Sequence, residues 1–191
     1  MVLVVQGLNK PLFLFVGKSA SGKTTIANML EANGYTQIQS YTTRPERYKG
    51  ETGHTFISEE EYSQLENIMA YTFYNNYHYC TTLEQVQNAD IYVVDVEGVK
   101  TLMDNSHLIN RDIYVVYFAT SVYNRIQRML EREDSDTHIV GRLLNDEAED
   151  WYEQLTKVIS YKKIKDINAN LELDRVYEVV KTFIETGWQI N

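Results

Sequence analysis

The sequence has little cysteine, little positive charge and no long apolar run, and each shortage excludes a class of protein. The single cysteine among 191 residues excludes an intrachain disulfide and suits a reducing compartment, so we expect a cytoplasmic protein. The net charge of −9 argues against a nucleic-acid polymer as partner, because a polyanion requires a broad basic surface. The apolar residues 1–6 are too few for a membrane span and lack the basic flank of a signal peptide, so we expect an additional strand there and no membrane partner.

The remaining composition is typical of a folded domain with a substantial core. Hydrophobic residues make up 43% of the chain, and its length fits one α/β domain with small inserted lobes. The acidic balance still permits a small phosphorylated ligand, because such a ligand needs only a local cluster of arginine and lysine.

One stretch organises the rest of the chain. Residues 17–24 read GKSASGKT and match the pattern G-x-x-x-x-G-K-[S/T], in which backbone N–H groups wrap nucleotide phosphates. Apolar residues 12–16 predict a strand before this loop, and apolar residues at helical spacing predict a helix after it, ending near residue 34. Strand, loop and helix are the required context, which favours a nucleotide site over a chance match. Lys23 would then reach the β- and γ-phosphates, and the Thr24 hydroxyl would hold Mg²⁺.

Apolar runs and capping patterns predict the other strands and helices. Strands are expected at residues 35–39, 91–95, 113–118 and 163–167, with two more joined by a turn within residues 70–80. Helices are expected at residues 58–67 and 82–89, each opened by a capping box, after Ser121, and at residues 173–186.

Two arginines lie three residues apart in the stretch SYTTRPER at residues 40–47. The planar guanidinium binds phosphate oxygens in pairs, so Arg44 and Arg47 suit a loop that binds an anion. An exposed charged loop without a ligand is the alternative that this pattern leaves open.

Asp95 ends the apolar run at residues 91–95. Ligands of parallel sheets gather at the carboxyl ends of the strands, which makes Asp95 a candidate site residue. A cap for the following helix is an equal alternative on position alone.

Arginines also flank a polar segment in the second half of the chain. Arg125, Arg128 and Arg132 lie on one predicted helix, polar residues 133–136 follow, and Arg142 lies on the next helix. Such a segment suits a lid that closes over phosphates. The alternative is a solvated helix surface with acid–base pairs.

Together these stretches resemble guanylate kinase, a nucleoside-monophosphate kinase of the phosphate-loop class, over about residues 11–184. The family's phosphate loop matches residues 17–24, and its pattern S-x-T-T-R-x-x-R matches residues 40–47. Its Y-Y-G-[S/T] and D-x-Q-G patterns resemble HYCT at residues 78–81 and DVEG at residues 95–98. The lid arginines match Arg128, Arg132 and, after a one-residue shortening, Arg142.

The resemblance implies a P-loop NTPase fold of three layers, with a parallel central sheet, an inserted monophosphate-binding lobe and a helical lid. The whole chain, residues 1–191, would form one such domain. Its core would comprise residues 11–39, 90–127 and 160–190, the lobe residues 40–89, and the lid residues 128–145.

The resemblance also implies a role for each matching residue. The residues expected to bind ATP are Gly17, Lys18, Ser19, Ala20, Ser21, Gly22, Lys23, Thr24 and Thr25, with Thr24 holding Mg²⁺. The catalytic residues would be Lys23, Arg44, Arg128, Arg132 and Arg142. The GMP-binding residues would be Arg44, Arg47, Tyr79 and His54 for the phosphate, and Ser40, Thr81 and Asp95 for the guanine.

The chain departs from the family at base recognition. His54 stands where the family has a tyrosine, and no acid stands near Ala70, where a family glutamate accepts hydrogen bonds from guanine. Cys80 replaces a glycine and Glu97 replaces a glutamine. The resemblance therefore covers phosphate handling more completely than base recognition.

The function implied is the ATP- and Mg²⁺-dependent phosphorylation of GMP or dGMP to the diphosphate. A related small-molecule kinase, acting on another nucleotide or on a ribose bisphosphate, is the alternative that the missing glutamate favours. A third possibility is a non-catalytic guanylate-kinase-like interaction module, but such modules have a degraded phosphate loop, and this loop is complete.

Overall fold

Two four-stranded sheets and eight α-helices make up the part of the chain that the computed structural model describes, residues 10–47, 49–148 and 150–186. The strands are β1 (Leu12–Val16), β2 (Ser40–Thr42), β3 (His54–Phe56), β4 (Ile68–Tyr74), β5 (Tyr77–Thr82), β6 (Ile91–Val93), β7 (Ile113–Ala119) and β8 (Ile164–Asn168). The helices are α1 (Lys23–Ala32), α2 (Glu59–Ser63), α3 (Leu83–Asn88), α4 (Val96–Asp104), α5 (Val122–Glu131), α6 (Asp136–Glu147), α7 (Trp151–Val158) and α8 (Leu173–Glu185).

The central sheet is parallel throughout, with the strand order β6-β1-β7-β8. Every residue of β1 is buried, as expected for a parallel strand covered on both faces. Leu14 belongs to a core shared with α3, α4 and α7, whereas Phe13 and Phe15 belong to a core shared with α1 and α8. Helices therefore cover both faces of the sheet, and the predicted α/β fold with a parallel central sheet is confirmed.

The second sheet has the order β3-β2-β5-β4 and is mixed, because β2 pairs parallel with β3 and antiparallel with β5. Its hairpin turns at Asn75 and Asn76, which have positive φ angles of 50° and 63°. Asparagine tolerates this left-handed conformation, so the predicted turn is explained. Met69 and Ala70 of β4 join the core that contains α4. This sheet therefore packs on the side of the domain where the carboxyl end of β6 leads into α4.

Two predicted elements differ in the structure. Residues 35–39 form no strand. Gln37 makes one isolated bridge to Ile91, and backbone hydrogen bonds join Thr36 and Ile38 to residues 90 and 91 at the start of β6. The helix capped by Ser58 ends at Ser63 instead of residue 67, since Asn67 takes a positive φ of 53° and its carbonyl accepts a bond from Leu83. The strand predicted at residues 1–6 lies outside the described residues.

Within the described residues, no helix combines the length and apolar character that crossing a membrane requires.

Candidate functional site

The loop at residues 17–24 connects β1 to α1 and passes close to β7. A Cβ atom on Gly17 would lie 2.8 Å from the backbone oxygen of Phe118, so only glycine fits there. Gly22 has a φ of 98° and forms the N-cap of α1. Ala20 also has a positive φ, 59°, a conformation that costs a residue with a Cβ atom about 1–2 kcal/mol. The loop is therefore held in a shape that local preference alone does not give.

Lys23 is bound inside this loop. Its Nζ donates hydrogen bonds to the carbonyl oxygens of Gly17 and Lys18, at 2.5 and 3.0 Å, and to Ser21 Oγ at 3.3 Å. Loss of water around the ammonium lowers its pKa from 10.5 to about 8, although the negative charge of Asp146 opposes the shift. An under-solvated ammonium at the N-terminus of a helix is well suited to bind an anionic phosphate.

A cavity of about 370 Å³ lies beside the loop. Thr24 and Thr25 line it from the first turn of α1, and Arg128 and Arg132 line it from the opposite side. No group of three or more acidic, histidine or cysteine side chains in the described part of the chain forms a metal cluster. The Thr24 side chain at this cavity offers a hydroxyl oxygen, a donor of the kind that Mg²⁺ takes, and Mg²⁺ keeps few protein ligands.

A second cavity, of about 970 Å³, lies between the second sheet and α6. Predicted site residues from distant parts of the sequence meet in its wall: Arg44, Arg47, Tyr79, Asp95, Arg132 and Arg142. Arg132 lines both cavities, so the two sites adjoin at this side chain.

Arg44 is buried and paired with Glu51. Its guanidinium lies 5.2 Å from the centre of the Phe56 ring and donates from Nη1 and Nη2 to the two Glu51 oxygens. The Arg44 Nε is buried and has no hydrogen-bond partner among the described residues. Arg47 is exposed, and its backbone N–H donates to Glu51 at 2.8 Å. One carboxylate thus orients both arginines of the loop.

Asp95 caps a helix and also lines the larger cavity. Its Oδ1 accepts bonds from the Gly98 N–H at 2.7 Å and from the Thr72 hydroxyl at 3.0 Å, which makes it the N-cap of α4. The Oδ2 atom accepts no hydrogen bond from the described residues. The helix-cap alternative is therefore correct, and it leaves one carboxylate oxygen for a ligand.

Ser40 and Thr81, the other residues predicted to bind the base, are buried and do not line this cavity. Ser40 Oγ lies 2.9 Å from His54 Nδ1, and the Thr81 hydroxyl donates to Gln85 Oε1 at 2.7 Å. Burial lowers the pKa of His54, which favours its neutral form. Ala70 is 1% exposed and belongs to the core. The roles of Ser40 and Thr81 in base binding and of His54 in phosphate binding stay predictions.

The predicted lid arginines are held by different partners. Arg128 donates to the carbonyl oxygens of Ala169 and Ala20, at 2.7 and 3.3 Å. Arg132 and Arg142 both approach the Asp134 carboxylate, at 2.7 and 3.5 Å. The acid–base pairs of the alternative interpretation are present, on side chains that also line the cavities.

Three charged residues at the loop were not among the predicted site residues. Arg125, Asp146 and Glu147 contact the phosphate loop or its Lys18 side chain. No local pattern in the sequence identifies them, because the packing of α5 and α6 brings them to the loop.

The chain has an α/β fold in which a glycine- and lysine-containing loop follows a parallel strand of the central sheet. Comparison with protein-family models and with curated protein sequences finds no match. Among solved structures, the chain is similar to guanylate kinase from Anaplasma phagocytophilum, with a TM-score of 0.60 and 17% identity over 96% of this chain and 89% of that one. It is also similar to deoxyadenosine kinase from M. mycoides with bound dATP, with a TM-score of 0.51 and 14% identity over 92% of this chain and 100% of that one. At these identities the likeness shows the fold.

Proposed function

We propose that the protein transfers the γ-phosphoryl group of ATP to a nucleoside monophosphate, with GMP or dGMP as the acceptor. The observation that carries the proposal is the position of Arg132, which lines both the cavity at the phosphate loop and the cavity that contains Arg44. A phosphoryl group that passes from one cavity to the other would be neutralised by this arginine.

In this proposal the loop at residues 17–24 binds the ATP phosphates, with Lys23 at the β- and γ-phosphates. Mg²⁺, held on Thr24, would neutralise charge on the β- and γ-oxygens. Residues 40–89 form the acceptor lobe and residues 128–145 form the lid.

The chemistry is a direct transfer between two phosphates. An oxygen of the acceptor monophosphate forms a bond to the γ-phosphorus while the bond from that phosphorus to the β–γ bridging oxygen breaks, and ADP leaves. Arg44 and Arg47 hold the acceptor phosphate in line, and Arg132 and Arg142 stabilise the charge on the group in transfer.

The acceptor cavity favours a phosphate-bearing acceptor over an unphosphorylated nucleoside. Arg44 is buried with an unpartnered Nε, and Arg47 lies beside it. A nucleoside hydroxyl offers these guanidinium groups no charge to bind, whereas a monophosphate accepts paired hydrogen bonds.

The test is ADP release with ATP, Mg²⁺ and a panel of acceptors that includes GMP, dGMP, IMP, AMP, CMP, UMP, ribose bisphosphate and the matching nucleosides. We expect turnover with GMP and dGMP and none with nucleosides. Turnover with deoxyadenosine or guanosine alone contradicts the proposal. Turnover with a different monophosphate or with ribose bisphosphate retains phosphoryl transfer and replaces the acceptor.

A further inference from the structure

A buried arginine joins the phosphate loop to the helix that carries a lid arginine. The Arg125 side chain is completely buried, and all three of its guanidinium nitrogens donate hydrogen bonds. Nε donates to the Ser19 carbonyl at 2.9 Å, Nη1 to Glu147 at 2.7 Å, and Nη2 to Asp146. Asp146 is also buried and accepts the Ser19 N–H at 2.8 Å. Both backbone groups of Ser19 are thus bonded by one ion pair.

The Arg125–Asp146 pair lies where three functional segments meet. Ser19 belongs to the phosphate loop, Arg125 to α5, and Asp146 to α6. On α6, Asp146 lies one helical turn after Arg142, so the two residues share a face of the helix. Arg142 lines the acceptor cavity. The pair therefore sets the distance between the loop that would bind ATP and the arginine that would reach the acceptor.

Stability alone does not account for this arrangement. Removing two charges from water is costly, and apolar residues of similar volume often replace a buried ion pair with no loss of stability. Apolar residues cannot reproduce the hydrogen bonds to the Ser19 N–H and carbonyl, because these bonds need one acceptor and one donor at fixed positions.

Glu147 extends the contact toward solvent. Its Oε1 accepts from Arg125, and its Oε2 accepts from Lys18 Nζ at 2.7 Å. The hydrogen bond from Lys18, with a further bond from Arg125, lowers the pKa of the Glu147 carboxyl. The end of α6 therefore meets the first half of the loop through two adjacent carboxylates.

We propose that Arg125 and Asp146 are positioning residues that lock the phosphate loop to α6, so that ATP binding by the loop and the placement of Arg142 are coupled. This proposal rests on the proposed function for its kinetic part. Its binding part requires only that the loop binds MgATP.

The first experiment replaces both charges at once, in the double variant Arg125→Met/Asp146→Leu, and measures the MgATP Kd by calorimetry and unfolding by circular dichroism. We expect a folded protein whose Kd rises by about tenfold or more, because Ser19 is no longer held. The matched control is Arg111→Met, a half-buried arginine that donates to the carbonyls of Pro11 and Ala89 at the opposite end of β1. An equal loss of MgATP binding in this control would mean general destabilisation and would overturn the proposal.

If the double variant does not fold, Asp146→Asn provides the same measurement, since the amide oxygen still accepts from Ser19 but no longer pairs as an anion with Arg125. The expected rise in Kd has the same direction and is smaller. A wild-type Kd in the folded variant overturns the lock.

The second experiment measures coupling to the lid with Arg142→Ala in two backgrounds. In the wild-type background we expect Arg142→Ala to lower kcat by about 100-fold. In the double variant we expect it to lower kcat by about tenfold or less, because Arg142 is no longer positioned there and contributes less to catalysis. Equal losses in both backgrounds would show that the pair has no positioning role. If the wild type binds MgATP but phosphorylates no acceptor, the proposed function fails while calorimetry still decides the lock; if it binds no MgATP, both fail.

Discussion

Glu51 binds the Arg44 guanidinium through both carboxylate oxygens, with Oε1 2.9 Å from Nη2 and Oε2 3.1 Å from Nη1. Both side chains are more than nine-tenths buried. Burial alone would raise the pKa of Glu51, but hydrogen bonds from Arg44 and from the Arg47 N–H lower it overall. The carboxylate is therefore charged at neutral pH and holds Arg44 in the wall of the larger cavity.

The first prediction tests this relationship with Glu51→Gln. The amide retains the shape but loses the charge-assisted pairing, so KM for the acceptor monophosphate should rise by about tenfold to a hundredfold, with KM for ATP little changed. Steady-state kinetics with each substrate varied in turn provide the measurement. The control is Glu46→Gln, an exposed carboxylate of the same loop that accepts only from the Gly50 N–H at 3.1 Å in the described structure. Equal effects in the two variants would contradict the role of Glu51.

The strands of the central sheet could be predicted because a parallel strand buried on both faces is a continuous apolar run, as in Leu12–Val16. In residues 35–39 apolar and polar side chains alternate only weakly. This segment lies beside the start of β6 and forms a single β-bridge there instead of a series of paired residues. Helix α4 was predicted only as one of two alternatives for Asp95, the helix cap and the site residue. Helix α7 was not predicted, although its cap Asp150 precedes apolar residues at helical spacing.

The residues of the candidate site also differ in whether the sequence could predict them. The phosphate loop and Arg44 belong to local motifs, so spacing identified them. The Arg125–Asp146 pair joins residues 21 positions apart, and Ser19 lies more than 100 positions from both. Only the packing of α5 and α6 against the loop brings them together, and no local pattern encodes that contact.

A second prediction concerns the phosphate-loop lysine. Lys23→Ala should lower kcat by about 100-fold or more, because the variant lacks the ammonium that we propose binds the transferring phosphoryl group. Circular dichroism should show a folded protein. The exposed Lys157, paired with Glu153 on the surface of α7, provides the control variant Lys157→Ala, which should retain turnover. Turnover near that of the wild type in Lys23→Ala would remove the proposed function.

A third prediction follows from the pKa of Lys23, which is lowered to about 8 in the ligand-free fold. Phosphates near the ammonium favour its charged form, so MgATP binding at about pH 9 should take up close to one proton, and uptake should vanish well below pH 8. Calorimetry in buffers of different ionisation enthalpy measures the uptake. Lys23→Met should abolish it, and undiminished uptake in that variant would assign the proton to another group.

The lowered pKa of Lys23 also predicts how the free energy of unfolding depends on pH. The unfolded chain, with a lysine pKa near 10.5, holds more protons than the folded chain between about pH 8 and 10.5. The destabilising contribution of the buried ammonium is therefore present below pH 8 and is relieved as the pH rises through this window. Relative to Lys23→Met, the wild type should gain stability as the pH rises from about 8 to 10.5, measured by denaturant unfolding at a series of pH values.

A fourth prediction concerns closure of the acceptor cavity. Asn145 on α6 donates to the Tyr74 hydroxyl at 3.1 Å, which links α6, part of the proposed lid, to the hairpin of the second sheet. A bisubstrate analogue joining adenosine and guanosine through phosphates should draw the lobe and lid together, and small-angle scattering should show a smaller radius of gyration. Tyr74→Phe should raise KM for the acceptor by a few-fold, about the effect of one exposed neutral hydrogen bond. Identical scattering with and without the analogue would contradict closure.

A fifth prediction concerns base discrimination, where Asp95 is the residue at issue. Its Oδ1 caps α4, and Oδ2 remains for a ligand. Guanine presents N1–H and N2–H donors on one edge, and a single carboxylate oxygen accepts the two in poorer geometry than two separate oxygens do. A hydrogen bond to a charged acceptor contributes about 1.5–3 kcal/mol, so the loss of a second acid should lower discrimination between GMP and IMP or AMP by roughly one to two powers of ten. A glutamate at position 70 would not restore the second acid, because its side chain would be buried in the core without a partner.

Asp95→Asn separates the two roles of this residue. Asparagine caps helices as well as aspartate does, so the free energy of unfolding should change little. At the base, the amide substitutes a donor for an acceptor and opposes the guanine donors, so kcat/KM for GMP should fall by about tenfold to a hundredfold while that for AMP falls less. Measuring kcat/KM for GMP, IMP and AMP in both proteins decides the matter. An equal fall for all three bases would mean that Asp95 acts through α4 alone, and a wild type with no activity on GMP would transfer the assignment to another nucleotide or to a ribose bisphosphate.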